Sequence, residues 1–245
     1  FLIFNSQIYI FTCIACFCLV LLLSKLTKDV SKVEKTNFQL GRYFSPEIRQ
    51  EIEKLDLDIS IKPENTQMIA ILFTDIVGFT KIAEKLEPAE VLELLSEYQT
   101  KMIEPIFKNL GTVDKFIGDA VMATFISDGH QVSAVNACLE IRRVISEMEQ
   151  FQYESFVFVP QISIGLNSGI LLRGPVGSRR LNRYDFTVIG DCVNVAARLQ
   201  SMAAAGEILS TELFCKDLPK NFFYKLIGKT KLKGRQEFVD VAKIL

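Results

Sequence analysis

Histidine is almost missing from this chain of 245 residues: His130 is the single example. It belongs to no catalytic pattern and is expected only to cap or flank a helix that starts there. A Ser-His-Asp triad and a histidine general base are thereby excluded. The glycine signatures G-x-x-x-x-G-K-S/T and G-x-G-x-x-G are absent as well, so neither a P-loop nor a dinucleotide site has support. Basic charge is not in excess either: 28 Lys and Arg stand against 29 Asp and Glu, a formal net charge of −1. Proteins that coat nucleic acid neutralise phosphates with a marked surplus of Lys and Arg, so no nucleic-acid partner is expected. The six cysteines are too scattered for a disulfide framework. Cys13 and Cys16 form a C-x-x-C inside an apolar run that also holds Cys18, with no His or Asp beside it to complete a metal shell. Cys138, Cys192 and Cys215 are spaced as reduced thiols would be. Apolar residues make up 49% and charged residues 23%, ordinary values for a chain that buries a core.

Charge is also absent from Phe1 to Ser24, and Ile8 to Leu23 is almost continuously apolar. About 20 such residues span a bilayer as a helix, so residues 1–24 are expected to form a transmembrane helix. A signal peptide would need a basic leading region and a small-residue cleavage site, which are not there; a buried core helix is the remaining alternative reading of the run. With no initiating Met, the span reads as the last part of a longer membrane region. Lys25, Lys28, Lys32 and Lys35 follow it against only Asp29 and Glu34, which puts the rest of the chain on the cytoplasmic side of the cell membrane.

The linker, residues 25–64, carries a heptad seam that begins at the end of the apolar span. Leu23, Val30, Asn37 and Phe44 fall at a positions, with Leu26, Val33 and Leu40 at d. One Asn at an a position favours a parallel two-stranded coil in fixed register, so a homodimer is expected here. A solvated amphipathic helix is the other reading of the same spacing. Gly41 and Pro46 then punctuate the chain, and a short helix is expected from Pro46 to Leu55.

Residues 65–245 form the second expected domain. Met68 to Phe73 is a short apolar run that reads as a buried strand, and it ends in Thr74-Asp75-Ile76-Val77-Gly78-Phe79-Thr80. A carboxylate at the end of a buried strand, before a turn glycine and a helix, suits a cation held beside phosphate, whose oxygens the helix amides can take. Two helices follow, the second opened by Pro88 and closed by Gly111, with Val91, Leu94, Leu95, Tyr98, Met102 and Ile106 as its core stripe. Thr112 to Phe125 then reads as two strands around a Gly118-Asp119 turn. Asp75 and Asp119 together could hold a pair of hard divalent ions; taken singly, each could be a helix cap or a turn residue. Arg173 to Arg183 reads as an arginine-bearing loop, and Phe156 to Leu166 as one strand. Further β-like runs lie at Glu207 to Ser210, Phe222 to Ile227 and Phe238 to Ile244. Strands and helices alternate as an α/β sandwich requires.

Three segments, F-T-D-I-V-G-F-T at 73–80, K-F-I-G-D-A-V-M-A-T-F at 115–125 and T-V-I-G-D-C-V-N-V-A-A-R-L at 187–199, resemble the class III nucleotidyl cyclases in order and separation. The resemblance covers residues 65–245 and implies a ferredoxin-like βαββαβ domain of the α/β (α+β) class, working as a homodimer with active sites between protomers. It implies an adenylate cyclase that converts ATP to 3′,5′-cyclic AMP and pyrophosphate, with two divalent cations, Mg²⁺ or Mn²⁺, at each site. By the same resemblance Asp75, the Ile76 carbonyl and Asp119 are the metal ligands. Lys115 and Thr187 read the purine, Thr187 marking a subgroup often linked to bicarbonate stimulation. Asn194 orients the ribose and Arg198 stabilises the transferring phosphoryl group. Gly78, Phe79, Thr80, Arg183 and Lys233 would lie against the substrate. Lys115 can donate to adenine N1 and the Thr187 hydroxyl can accept from the N6 amine, whereas guanine reverses that order. Guanylate cyclase and a catalytically silent nucleotide-binding module are the alternatives.

Overall fold

A computed structural model describes residues 2–40, 46–54, 66–153, 156–181, 183–232 and 237–245; the side chains of residues 2–16, 40, 46–47, 53–54, 153 and 179 lie outside that description. The chain divides into two compact units, Phe1–Lys54 and Leu55–Leu245.

The first unit contains two helices, α1 (Leu2–Leu40) and α2 (Pro46–Lys54). The heptad seam from Leu23 to Leu40 lies within α1, and Leu23, Leu26, Val30 and Val33 are each more than half exposed, at 51–58%. Phe44, the last seam position, lies outside the described residues. Among the described residues no helix is long and apolar enough to cross a membrane. The expected transmembrane span rests mainly on residues 1–16, whose side chains are not among them.

The second unit is built on one sheet. Its first part runs β1 (Thr66–Ile76), α3 (Phe79–Ala83), α4 (Pro88–Lys108), β2 (Gly111–Ile117), β3 (Ala120–Phe125), α5 (His130–Ser146), β4 (Phe151–Tyr153), β5 (Phe156–Phe158) and β6 (Ile162–Ser178). The strands order as β2-β3-β1-β6 and all neighbours are antiparallel, the ferredoxin-like βαββαβ arrangement expected from the sequence. After β7 (Arg183–Ile189) and α6 (Asp191–Met202), β8 (Ile208–Thr211), α7 (Glu212–Lys216), β9 (Tyr224–Lys231) and β10 (Phe238–Ile244) extend the sheet in the order β6-β8-β10-β9, and β7 pairs with β6.

The continuous apolar run of β1 is explained by burial on both faces. Ala70 and Leu72 pack with Tyr98, Met102 and Ile106 of α4 and Ile141 of α5. Ile69, Ile71 and Phe73 face the opposite way, towards Met122, Leu171, Val188 and Ala196 of α6. The close seating of α6 depends on Gly165 in β6, where a Cβ would collide with the Ala196 carbonyl and the Gln200 amide. Backbone on both sides cannot yield as a flexible side chain can. Gly165→Ala is therefore expected to destabilise the fold by about 1–3 kcal/mol or more. A denaturant midpoint equal to that of the parent chain would mean that α6 does not ride on this glycine.

The structure differs from the sequence expectation at three places. Gly111 does not close α4; Leu110 does, in the left-handed region at φ 61°, while Gly111 opens β2. A Cβ on Gly111 would run into Phe125 and Ile106, so packing, not turn geometry, claims the glycine. The expected strand from Phe156 to Leu166 is interrupted at Val159-Pro160-Gln161, as a proline without an N–H favours. The preceding β5 pairs with β4, and Phe151 and Phe158 close over Tyr98 with ring centroids 6.0–6.3 Å apart. Finally, Arg173 to Arg183 is not a loop but mostly a β6–β7 hairpin, with Ser178 opposite Arg183 and a short 3-10 turn at Arg179–Leu181.

Candidate active site

The end of β1 and the tip of the β2–β3 hairpin bring two carboxylates together. Asp75 is the penultimate residue of β1, opposite Ser163 of β6. Gly118 and Asp119 form the two-residue hairpin loop between Ile117 and Ala120. Gly118 takes φ 64°, which suits glycine at the first central position of a type II′ turn, and Asp119 follows at the tip. Burial, together with a hydrogen bond and the charge of Asp75, pushes the Asp119 carboxyl up to about 7, against the pull of the amides of Asp119 itself and Ile76. Gln200 of α6 steadies the other member: its Nε2 donates to Asp75 Oδ2 at 3.4 Å and to Ser163 Oγ at 2.8 Å. Beyond Asp75 the chain turns at Gly78, φ 78°, whose carbonyl accepts from the amides of Lys81 and Ile82; Thr80 is exposed and Phe79 half-buried there.

A second cluster forms around Asp114. The β2–β3 register slips between Val113 and Lys115, leaving Asp114 as the extra residue of a bulge. Neighbours in a regular strand point to opposite faces; the bulge breaks that alternation and re-aims a side chain. Asp114 Oδ2 accepts from the Thr187 hydroxyl of β7 at 2.8 Å. The same oxygen lies 3.6 Å from Lys115 Nζ, and the Asp114 side chain is only 5% exposed. Burial raises the Asp114 carboxyl above its ordinary range, while the Thr187 hydroxyl and Lys115 pull it back down. Lys115 and Thr187, 72 residues apart in sequence, are thus held on one carboxylate.

Asn194 and Arg198 lie four apart on α6, so they share a face, Asn194 exposed and Arg198 partly so. Among the described residues no hydrogen bond or ion pair joins Asn194, Arg198, Lys115 or Thr187 to Asp75 or Asp119. Arg183 is exposed at the start of β7, away from both clusters in register. Lys233 lies outside the described residues.

Residues 61–242, about three quarters of the chain, match the family described as the adenylate and guanylate cyclase catalytic domain. The chain belongs to that family. An adenylate cyclase of Anabaena cylindrica is 33% identical over 230 residues, covering 90% of this chain and 44% of the relative. Human retinal guanylyl cyclase 2 is 31% identical over 218 residues, 82% of this chain and 18% of the relative. The chain therefore spans less than half the length of these curated relatives. Among solved structures, the adenylyl cyclase CyaB of P. aeruginosa superimposes with a TM-score of 0.65 at 28% identity, over 74% of this chain and 94% of that one.

The donor set of this cyclase domain fits divalent cations. Asp75 and Asp119 are in contact, and their mutual repulsion is part of what raises Asp119. Among the described residues no group of three or more His, Cys, Asp or Glu side chains converges. One or two carboxylates completed by substrate phosphate and water is the usual setting for Mg²⁺. A cation held there would need Asp119 ionised and would have to displace its proton below about pH 7. Mn²⁺ affinity is therefore expected to rise with pH up to about 7 and then level off. The cation-free fold has the opposite sign, because its raised carboxyl holds a proton that the unfolded chain releases; stability falls as pH climbs from about 4 to 7. Mn²⁺ titration and thermal melting over pH 5–8 check both slopes; a flat Mn²⁺ affinity across that range would separate Asp119 from the cation.

Two members of the site were not among the sequence candidates. Gln200 lies on the same helix as Asn194 and Arg198, and its contact with Asp75 depends on how α6 crosses the sheet. Asp114 sits beside Lys115 in the second motif, but only the bulge gives it a partner 73 positions away.

Proposed function

We infer that the chain is the catalytic part of an adenylate cyclase that closes ATP to 3′,5′-cyclic AMP and pyrophosphate at two sites shared by a homodimer. The observation that carries the choice of adenine is the gathering of Lys115 and Thr187 on Asp114, which sets an amine donor and a hydroxyl side by side for N1 and N6 of the base. Asp75 and Asp119, with the Ile76 carbonyl, would hold two divalent cations, which when bound would lower the pKa of the ribose 3′-hydroxyl and neutralise triphosphate charge. Gly78, Phe79 and Thr80 border the phosphates. Asn194 fixes the ribose so that its 3′-oxygen faces the α-phosphorus, and Arg198 meets the charge that grows on the transferring phosphoryl oxygens, the kind of fixed donor that contributes most to such reactions. The new bond is O3′–Pα, the bond to the β,γ-pyrophosphate breaks, and the 3′-hydroxyl proton is released. Arg183 and Lys233 complete the triphosphate contacts.

The α1 helix anchors the chain in the cell membrane with the cyclase domain in the cytoplasm, and its exposed seam pairs in parallel with a second copy. Rotation or register change in that coil shifts one half-site against the other. Cysteine crosslinks placed along Leu23 to Leu40 in different registers should give different activities; equal activity in all of them removes the coil from regulation.

Product analysis of the 245-residue chain with ATP or GTP and Mn²⁺ or Mg²⁺, across protein concentrations, tests the whole reading. Cyclic AMP formation rising more than linearly with protein is expected. Cyclic GMP as the main product would transfer the chain to guanylate cyclase, and no product from a nucleotide-binding dimer would make it a silent module.

A further inference from the structure

We propose that Asp114 is a specificity-determining residue: by taking the proton of the Thr187 hydroxyl, it leaves Thr187 only lone pairs to show the base, which accepts adenine and rejects guanine. The inference rests on Lys115 and Thr187 being the base-reading pair, and adds what sets the polarity of Thr187 and holds Lys115 beside it.

A threonine hydroxyl has one proton and two lone pairs, and its proton rotates to suit its neighbour. Left to itself, Thr187 could accept from the adenine N6 amine or donate to guanine O6 equally well, and would discriminate little. Asp114 removes that freedom. An ionised carboxylate only accepts, and the Thr187 Oγ1 to Asp114 Oδ2 distance of 2.8 Å is that of a well-formed O–H···O bond. The one proton is committed inward, so the outward side of the oxygen can only accept. The adenine N6 amine is a donor and guanine O6 an acceptor. A guanine would therefore set its O6 against lone pairs and leave both unpaired.

The same carboxylate acts on the other reader. Lys115 Nζ is 3.6 Å from Asp114 Oδ2, and an ammonium offers donors only. Held there, it has only donors to offer the base edge, where adenine N1 accepts and the N1–H of guanine does not. Both readers are thus held by one side chain, which also sets the polarity of Thr187, and that side chain is buried. Its position comes from the bulge between Val113 and Lys115.

The test compares kcat/KM for ATP and GTP in the full chain carrying Asp114→Asn, alone and combined with Thr187→Val. An asparagine amide can donate to Thr187, which frees its proton for guanine O6. The ATP:GTP ratio is expected to fall by about tenfold to a hundredfold, chiefly through the two KM values. In the Thr187→Val background, Asp114→Asn should move the ratio much less, because no hydroxyl is left to orient. A purely structural Asp114 would lower both substrates alike and leave the ratio untouched. Asp114→Ser, which can also donate, provides a second variant if Asp114→Asn does not fold, with the same fall expected. A ratio at the parent value in the folded Asp114 variants, while Lys115→Ala and Thr187→Val shift it, overturns the proposal alone. If Lys115→Ala and Thr187→Val leave the ratio unmoved too, the base-reading pair itself is wrong.

Discussion

Replacing Asp119 by Ala or Asn is expected to lower cyclic nucleotide formation at pH 8 by about a thousandfold or more, since cation stabilisation of a transferring phosphoryl group contributes several kcal/mol and each 1.36 kcal/mol is tenfold in rate. The same change should not weaken the fold. Asp119 is a half-buried carboxyl pressed against Asp75, and its ionisation is opposed by desolvation and by that neighbouring charge. Above about pH 7 the Asp119 carboxyl is charged beside Asp75 in the cation-free chain, a penalty that Asp119→Asn removes while keeping the shape of the hairpin tip. The variant's melting temperature without cation at pH 8 should equal or exceed that of the parent, and the difference should shrink towards pH 4, where the folded parent carboxyl is protonated and the unfolded one is about half protonated. Loss of activity with gain of stability separates a functional charge from a structural one. Activity within tenfold of the parent, or a fold that melts earlier at pH 8, would count against the carboxylate pair as the cation site.

The sequence disclosed those parts of the site that are fixed by local pattern. The Gly118-Asp119 turn follows from one glycine between two β-branched and apolar strands. The shared face of Asn194 and Arg198 follows from a spacing of four. The residue patterns by themselves show alternating strands and helices, helped by punctuation such as Pro88, whereas the βαββαβ order is implied by the family resemblance. What stayed hidden depends on contacts between distant segments. Leu110 accepts a left-handed backbone, normally a glycine's role, because Gly111 is needed one residue later to let Phe125 and Ile106 close; no local rule ranks those two demands. The β6–β7 hairpin looked like a loop because its arginines and glycines obscure the alternation, yet its pairing runs from Leu172–Ile189 to Ser178–Arg183. Asp114 and Gln200 carry no local signal, because their partners, Thr187 and Asp75, lie 73 and 125 positions away. Proximity of Lys115 to Thr187 was implied by family resemblance rather than by any spacing in the chain, and the Asp114 bulge supplies its physical basis.

A mixture of two inactive variants, Asp75→Ala and Asn194→Ala, is expected to recover activity. Each chain presents the Asp75–Asp119 carboxylate pair at the β1 end and hairpin tip, whereas Asn194 and Arg198 stand on α6 without a bond to those carboxylates among the described residues. If a twofold dimer builds each site from the carboxylates of one protomer and the α6 face of the other, the mixed dimer puts both lesions in one site and leaves the second intact. Random pairing of equal amounts then gives roughly a quarter of parental activity, because about half the dimers are mixed and each has one working site. Mixing Asp75→Ala with Asp119→Ala, by contrast, should recover nothing, since those ligands come from the same protomer and every site in the mixture lacks one of them. The contrast between the pairs carries the weight: recovery in both would reflect residual activity, and recovery in neither, with subunit exchange verified by labelled chains, would mean that each site is completed within one chain. Gln200 sharpens the reading further. It touches Asp75 of its own protomer, while on this arrangement its helix would serve the partner's site, so Gln200→Ala placed in the Asp75→Ala chain should leave the recovered activity unchanged, whereas the same change in the Asn194→Ala chain, whose Asp75 would be the one in use, should reduce it.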